Sequence, residues 1–550
     1  MTYTVPAAQA LAEAEAEAGA EADRGRRLRT ALVVLVPAAV ALALSFYDLG
    51  TRSIWLDESA TISIANQHGA ALWSAMQRDG GNMLAFYGLV HVLFSWFGDG
   101  TVVLRAPAAV ASGLTAAAVA ATGARLFRPA VGLAAGLLTA VSLPFVYWSQ
   151  NGRAYSLVVA FGALSYLGFV HLVAGESRRR PGHPPWYAPY LYAGSLIVAV
   201  YMSFIVVLLV PAQLLSLYWY RRRGRVIATC LAVVAVASVP VLLLAHARGS
   251  SQIFWIRKPN LNSTFQIVQV IVGSGLPPEF RHTASSVPLL AITLALGVGA
   301  GVLGLWRARR HPPVDGVSEM RWAGALVAGW LVVPLALDVA ESSLGQSIYE
   351  SRYLLMSSPA LALLLAWALL SPRRRTAPKG RAMLAGGWVA VVALLVLRGV
   401  QILPTYTSSP ENWQEATRYV LARERPGDCV LFYPSDVRQA FDYYVLHSSF
   451  PESSWPRPIL PTAPFTEVRA YLEDYATLSS SQLTRRAASC PRMWFVSSHA
   501  GVPGASLIST THHLRYVALL RGLESDYARH RLVRISHASQ IDVWLFAQHR

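Results

Sequence analysis

Charge is what this sequence has least of. Only 14% of its 550 residues are Asp, Glu, Lys or Arg, against about 25% in an ordinary soluble domain. With 54% hydrophobic residues and a mean hydropathy of +0.39, that scarcity excludes a soluble globular chain and points to an integral membrane protein. Lysine is almost missing: Lys258 and Lys379 are two of 47 basic residues. The net charge of +17 comes from short arginine clusters between apolar runs. Such clusters fix membrane topology and form no extended basic face, so nucleic acid is excluded as a partner. Three cysteines are too few for a disulfide scaffold. The sequence holds no HExxH and no Walker loop, so neither a zincin nor an ATP-driven pump finds support.

What is present is a series of long apolar runs. A bilayer core about 30 Å thick needs roughly 20 apolar helical residues. Runs that meet or approach this length fall at 31–49, 104–124, 130–147, 156–174, 188–202, 204–220, 226–246, 287–305, 322–338, 353–370 and 382–401. The first follows "RGRRLR", which places the N-terminus in the cytoplasm. On that count the cytoplasmic connections are "RLFR" (125–128), "ESRRRPGHPP" (176–185), "RRRGR" (221–225), "RARRHPPVDGVSEMR" (307–321) and "SPRRRTAPKGR" (371–381), and every one is basic. The scheme requires the apolar run 83–98 to lie on the outer face as an interfacial helix, with Tyr87 and Trp96 as its anchors.

Three regions follow. Residues 1–30, rich in Ala and Glu at first, read as a cytoplasmic tail without fixed structure. They lack the basic start and short apolar core of a cleaved signal peptide. Residues 31–401 form the membrane module, with a long first outer loop at 50–103. Residues 402–550 mix helical stretches with short β-branched or aromatic runs ("CVLFYPS", "RMWFVSS", "IDVWLFAQH") and read as a small extracytoplasmic α/β domain. Cys429 and Cys490 stand at or beside the starts of two of these runs. They are either a disulfide, if the strands are neighbours, or two buried thiols.

Polar residues collect in the outer connections. Asp57 and Glu58 open the first loop. "YWSQNGRAYSL" (147–157) presents Trp148, Asn151, Arg153 and Tyr155; "FWIRKPNL" (254–261) carries Trp255, Arg257 and Lys258, with His282 further on; "YESRYLL" (349–355) carries Arg352 and Tyr353. Carboxylates and guanidinium groups at one interface suit attack by a hydroxyl on an anionic donor. The Asp accepts the hydroxyl proton and Arg forks onto phosphate oxygens. Each residue also has a plain reading: a solvated acidic doublet, an Arg reaching the headgroups, a structural His.

The stretches "WLDES", "FGDGTVVLRAPAAV", "ARLFRPAVGLAAGLLTAVSLPFVYWSQNGRAYSL", "ESRYLLMSSPALALLLAW" and "ENWQEATRYV…RPGDCVLFYP" occur in an order that resembles the GT-C fold glycosyltransferases. These enzymes use polyprenyl-phosphate sugars; among them are the protein O-mannosyltransferases and the lipid A aminoarabinose transferases. The resemblance implies a polytopic α-helical membrane protein of about 11 spans with an extracytoplasmic α/β domain. It implies transfer of a mannose-like sugar or a pentose from a polyprenyl phosphate to an acceptor hydroxyl at the outer face, with inversion. The acceptor would be a protein, a polysaccharide or a glycolipid. Asp57 would be the general base and Glu58 would orient the site or bind sugar hydroxyls. Arg153, Arg352, Lys258 and Arg257 would face the donor phosphate. Asn151, Tyr155, Tyr353 and His282 would line the substrate site, and the lipid tail would run near Trp148 and Trp255. Family members that hold a divalent metal use Glu and His. Several of those positions are neutral here, at Asn82-Met83-Leu84, Asn151 and Tyr201-Met202-Ser203-Phe204, so no metal or other cofactor is expected. Two further classes stay open: a transporter or flippase of a lipid-linked sugar, and a non-catalytic glycan-assembly protein.

Overall fold

The computed structural model describes the chain except for residues 1–4, 175–183, 220–222, 249–255, 278–279, 281–286, 289, 294, 296–298, 300–316, 371–377, 463–477, 505–506, 536–539 and 550. Helix α1 (Val5–Phe46) is continuous through the segment expected to be an unstructured tail. The reason is compositional: its Ala/Glu-rich start has high helix propensity and extends the apolar span behind it.

In the loop expected at 50–103 lie α2 (Leu56–Ala65), α3 (Gly69–Arg78) and α4 (Leu84–Phe97). The bundle continues with α5 (Thr101–Leu126), α6 (Pro129–Ala140), α7 (Leu143–Ser149), α8 (Tyr155–Ala174), α9 (Ala188–Met202), α10 (Val210–Ser216), α11 (Gly224–Arg248), α12 (Leu261–Val272), α13 (Val317–Leu344), α14 (Ser358–Leu370) and α15 (Pro378–Ile402). Six described helices are long and apolar enough to cross a bilayer: Leu28–Phe46, Thr101–Leu126, Tyr155–Ala174, Gly224–Arg248, Glu319–Leu344 and Gly380–Thr405. The α6–α7 pair, bent by 62°, is apolar enough to count as a seventh if its two helices are taken as one broken span. Three more expected spans appear as shorter apolar helices, at Ala188–Met202, Phe204–Ser216 and Leu354–Leu370. The run at 287–305 lies largely outside the described residues. This is a multi-pass membrane protein.

The bend between α6 and α7 has a local cause. Pro144 has no N–H to offer the Ala140 carbonyl and its ring crowds that turn, so the helix breaks at Val141–Ser142. Arg398 of α15 meets the exposed helix ends, donating to the carbonyls of Leu138 (2.8 Å) and of Val272 at the end of α12 (2.7 Å). Arg398 is a buried charge inside a span. Elsewhere small residues bring helices to backbone contact: Gly132 of α6 lies against the Ala120 carbonyl of α5 with no room for a Cβ.

Helix α4 is 14 residues long, short of the roughly 20 a span needs. It buries Phe86, Tyr87, Val90 and Phe94 and exposes Leu89, Val92, Trp96 and Phe97. Trp96 fits the anchor expected of an interfacial helix, whereas Tyr87 points inward, for a reason given below.

The C-terminal domain is built on one five-stranded sheet of order β2-β1-β3-β5-β4, from β1 (Cys429–Tyr433), β2 (Arg457–Leu460), β3 (Arg492–Ser498), β4 (Tyr527–Ile535) and β5 (Ile541–His549). β1 runs parallel to β2 and β3, and β5 is antiparallel to β3 and β4. Side chains alternate across it as strands require. Val430, Phe432, Trp494 and Val496 join the core with α16 (Trp413–Leu421) and α17 (Val437–Leu446). Cys429, Leu431, Met493 and Phe495 face the core with α18 (Ser480–Ala487) and α19 (Leu507–Asp526). Cys429 and Cys490 are bonded, with Cα atoms 5.7 Å apart.

This domain sits on the 50–103 loop. The N–H groups of Ser53 and Ile54 donate to Ser409 Oγ (2.8 Å) and Tyr444 Oη (2.7 Å). His447 of α17 pairs with Asp99 at 3.2 Å.

Candidate active site

The acidic doublet begins α2, where carboxylates favour the positive end of the helix dipole. The two members have different surroundings. Glu58 is fully buried and accepts two bonds from Arg105, at 2.8 Å from both Nε and Nη2. It also accepts the Gly152 N–H at 2.7 Å and the Trp55 N–H at 3.4 Å. Arg105 donates in addition to the carbonyls of Leu49, Arg52 and Ser53. Glu58 therefore joins the first loop, α5 and the 150–154 turn, and its oxygens are not free for a sugar hydroxyl. Of the two roles expected for it, only orientation of the site fits.

Asp57 faces a different set. Its side chain is 22% exposed, and its Oδ2 lies 3.8 Å from Arg153 Nε. Arg153 is buried and donates from Nη1 to the Asp57 carbonyl (3.2 Å), Thr61 Oγ1 (3.1 Å) and Tyr87 Oη (3.4 Å). Its Nε has no hydrogen-bond partner. Here the inward turn of Tyr87 is explained: the phenol donates to Asp79 (2.9 Å) and accepts from Arg153. Burial and the Asp79 carboxylate push the Tyr87 phenol well above its ordinary range, so it stays protonated. Burial pulls the Arg153 guanidinium down, but Tyr87 and Asp57 more than offset that and hold it charged.

Arg352 completes the cluster from the connection before α14. Its guanidinium carbon lies 5.6 Å from the Trp55 ring, 5.7 Å from Tyr155, and 6.0 Å from Phe280 and Tyr353, within cation–π range. Burial lowers its pKa, and Tyr155, Glu350 and Asp57 together raise it further, so this charge is permanent too. Asn151 accepts from Trp55 Nε1 at 3.1 Å, which fixes the ring over Arg352.

The structure thus brings Asp57, Arg153, Tyr155, Arg352 and Tyr353 together, with Asn151 behind Trp55. Trp148 departs from expectation. Its ring is fully buried against Trp55, Phe280 and Tyr155, so it forms the floor of the aromatic cluster and offers nothing to a lipid tail. Arg257 and Lys258 are exposed, and Lys258 Nζ donates to the Ser343 carbonyl at 3.4 Å, so no observed contact ties either to the cluster. Trp255 and His282 lie outside the described residues. A small pocket lined by Arg52, Trp55, Glu58, Arg105, Asn151 and Glu411, among others, adjoins this cluster, and Asp57 is not among its lining residues. Among the described residues no three His, Cys, Asp or Glu side chains gather as metal ligands. The donors beside Asp57 are guanidinium and phenol groups, which do not suit a divalent cation.

Sequence reasoning missed Arg105, Tyr87 and Glu411. Arg105 left one signal, a single Arg one turn inside an apolar helix, which is costly unless paired. The other two left none.

No family model matches the sequence, and no curated protein matches it. Solved structures do match. The chain is similar to ArnT from Cupriavidus metallidurans bound to undecaprenyl phosphate, at 14% identity and TM-score 0.51, with 93% of this chain and 97% of that one covered. ArnT in its apo state gives 15% and 0.52 over the same shares. The oligosaccharyltransferase AglB from Archaeoglobus fulgidus, in complex with an inhibitory peptide and a dolichol-phosphate, gives 10% and 0.51 over 94% of this chain and 74% of that one. The chain has the GT-C fold. The GT-C likeness spans nearly the whole of it.

Proposed function

We propose that the protein is a membrane glycosyltransferase that moves a sugar from a polyprenyl phosphate to an acceptor hydroxyl at the outer face. The observation that carries this reading is the convergence of Asp57, partly open to solvent, with the buried cations Arg153 and Arg352 inside a GT-C fold. ArnT and AglB, which share the fold, are described with undecaprenyl phosphate and a dolichol-phosphate.

In the proposed step the acceptor oxygen attacks the anomeric carbon from the side opposite the phosphate, giving inversion. The acceptor O–C1 bond forms as the C1–O bond to phosphate breaks. The hydroxyl proton passes to the Asp57 carboxylate. The polyprenyl phosphate leaves with the bonding pair, and Arg153 and Arg352 neutralise the charge gathering on it. Fixed cations aimed at a leaving group are often the largest single contribution to such a rate. In this reading the two arginines carry that neutralisation. The sugar is a hexose such as mannose or a pentose; the acceptor is a protein, a polysaccharide or a glycolipid.

Sidedness is part of the proposal. The N-terminus lies in the cytoplasm and the outer domain outside. Support comes from the basic connections on the opposite side and from the Cys429–Cys490 bond, which persists in oxidising compartments.

Asp57→Asn tests the reading in the purified protein, with undecaprenyl-phosphate hexoses and pentoses as donors. The expected result is a roughly 10²–10⁴-fold slower transfer, the usual loss for a general base, with undecaprenyl phosphate still bound. A transfer rate within threefold of the parent's, as an order-of-magnitude limit well short of that loss, would remove Asp57 from the role. Unchanged cellular function would favour the transporter or assembly readings.

A further inference from the structure

Helix α2, which carries Asp57, gets no side-chain cap from its N-cap residue; of its own groups, the Glu58 carboxylate accepts the Trp55 N–H at 3.4 Å. Trp55 holds the N-cap position in an extended conformation, and its indole nitrogen, a donor only, is spent on Asn151. The first N–H groups of a helix need acceptors from outside it. The N–H of Leu56 finds one 355 residues away, in Glu411 Oε2 at 2.9 Å. Glu411 is 3% exposed. The same oxygen accepts from Trp413 Nε1 at 3.0 Å, and Oε1 faces His499 Nε2 at 3.4 Å. Its backbone is held by the outer domain, because the next residue, Asn412, caps α16 by accepting the Glu415 N–H. Beside this contact the Gln414 N–H donates to Ser53 Oγ at 3.1 Å.

We propose that Glu411 is a positioning residue for the transfer reaction: through it the outer domain supplies the acceptor for the Leu56 N–H at the start of α2, and so sets where the Asp57 carboxylate stands against Arg153. The proposal rests on the reading of Asp57 given above. A carboxylate suits the place twice over. It is an anion at the positive end of a helix, and its bond to a backbone N–H is charge-assisted. Asp57 is the next residue after the capped Leu56, so fraying of this turn moves its carboxylate away from the guanidinium 3.8 Å off. The outer domain is then part of the active site through Glu411.

The test uses full-length protein in lipid nanodiscs: the parent, Glu411→Ala, Glu411→Gln and Trp413→Phe. Hydrogen exchange of the first turn of α2 is followed beside undecaprenyl phosphate binding and transfer. In Glu411→Ala those amides should exchange about tenfold faster, the order expected for a lost cap. Glu411→Gln, whose side-chain oxygen still accepts, should fall between. Trp413→Phe, which removes only the other donor to that oxygen, should leave α2 unchanged. Transfer should slow more with Ala than with Gln, and the KM for donor and the binding of undecaprenyl phosphate should stay at parent values. Unchanged α2 exchange in Glu411→Ala would overturn the cap. So would equal acceleration in all three variants spread through the outer sheet. If the parent itself fails to bind undecaprenyl phosphate, the functional reading falls and takes with it the catalytic meaning of Glu411, while the exchange data still decide the cap.

Discussion

Removing Arg105 should be the most damaging single change to the site, more so than removing its partner. Arg105→Met takes away both bonds from the guanidinium to Glu58 and strips the carbonyls of Leu49, Arg52 and Ser53 of a donor. Glu58 is left as a fully buried carboxylate holding only the N–H groups of Gly152 and Trp55. Breaking a buried ion pair from one side costs about 3–5 kcal/mol, because a charge is left uncompensated. Glu58→Gln should cost less: the guanidinium keeps three carbonyl acceptors, and the amide oxygen can still receive one of its bonds. The double variant Glu58→Gln/Arg105→Met has no buried charge left at this point, and it should be more stable than Arg105→Met alone by about 1–3 kcal/mol, the usual size of coupling between contacting groups. Cys230 provides the readout. It is the free cysteine, buried in the bundle on α11, so a thiol-reactive dye reports the heating step at which the helices part. A melting profile for Arg105→Met that matches the parent would refute the argument. So would a double variant that melts below the single one, since the cost would then come from lost packing and not from a stranded charge.

Arg352→Ala should raise the KM for the polyprenyl-phosphate donor more than that for the acceptor, and Arg352→Lys should not restore it, because lysine lacks the flat fork that stacks among four rings; equal effects on both substrates would count against this assignment. The Asp99 carboxylate, through its hydrogen bond, raises the His447 pKa above the ordinary 6.5, and the imidazole in turn lowers that of Asp99. A raised folded-state pKa means that this link between outer domain and first loop acts in full below pH 6.5 and fades as pH climbs through the raised value, so heat stability should fall over that range in the parent and less in His447→Asn; parallel curves would sink the claim. Replacing Cys429 and Cys490 by Ser opens a connection of sequence separation 61, for which chain entropy gives a loss of about 4 kcal/mol in the outer domain. In unreduced membranes neither parent cysteine should take up a maleimide, and labelling of both would contradict the bond and the extracytoplasmic placement together.

Much of the architecture could be read from hydropathy, since a bilayer imposes a length and an apolar composition on every crossing segment. The exclusion of 83–98 rested on charge bookkeeping across the connections, and the structure gives that segment a short helix with one exposed apolar stripe. β1, β3 and β5 announced themselves as apolar runs. The two edge strands did not: β4, "YARHRLVRI", carries its charges on an exposed edge and looks nothing like a buried strand. Asp57, Arg153 and Arg352 were found because interfacial charge in an apolar chain is rare enough to single out. Their supports escaped because they act at long range. Arg105 lies 47 residues from Glu58 and Glu411 lies 355 from Leu56, and no local spacing encodes such pairs. Arg398 escaped for a different reason: its acceptors are the carbonyls at the ends of two helices, so a search for opposite charges passes over it.

The adjacency of Asp57 and Glu58 follows from helix geometry. Successive residues of an α-helix point about 100° apart, so two neighbouring carboxylates at the start of α2 cannot enter one pocket. One is turned into the protein, where Arg105 and the Gly152 N–H saturate it; the other is turned toward Arg153 and remains partly in contact with solvent. The buried member fixes the roll of the helix about its axis, and with the roll fixed the direction of its neighbour is fixed as well. A lone Asp on a freely rolling turn would lack that definition, and a lone Glu would have no reactive neighbour to aim. In an apolar chain, where each buried charge needs its own partner, the cost of the second carboxylate is offset by Arg105, and its use is to hold the first in place.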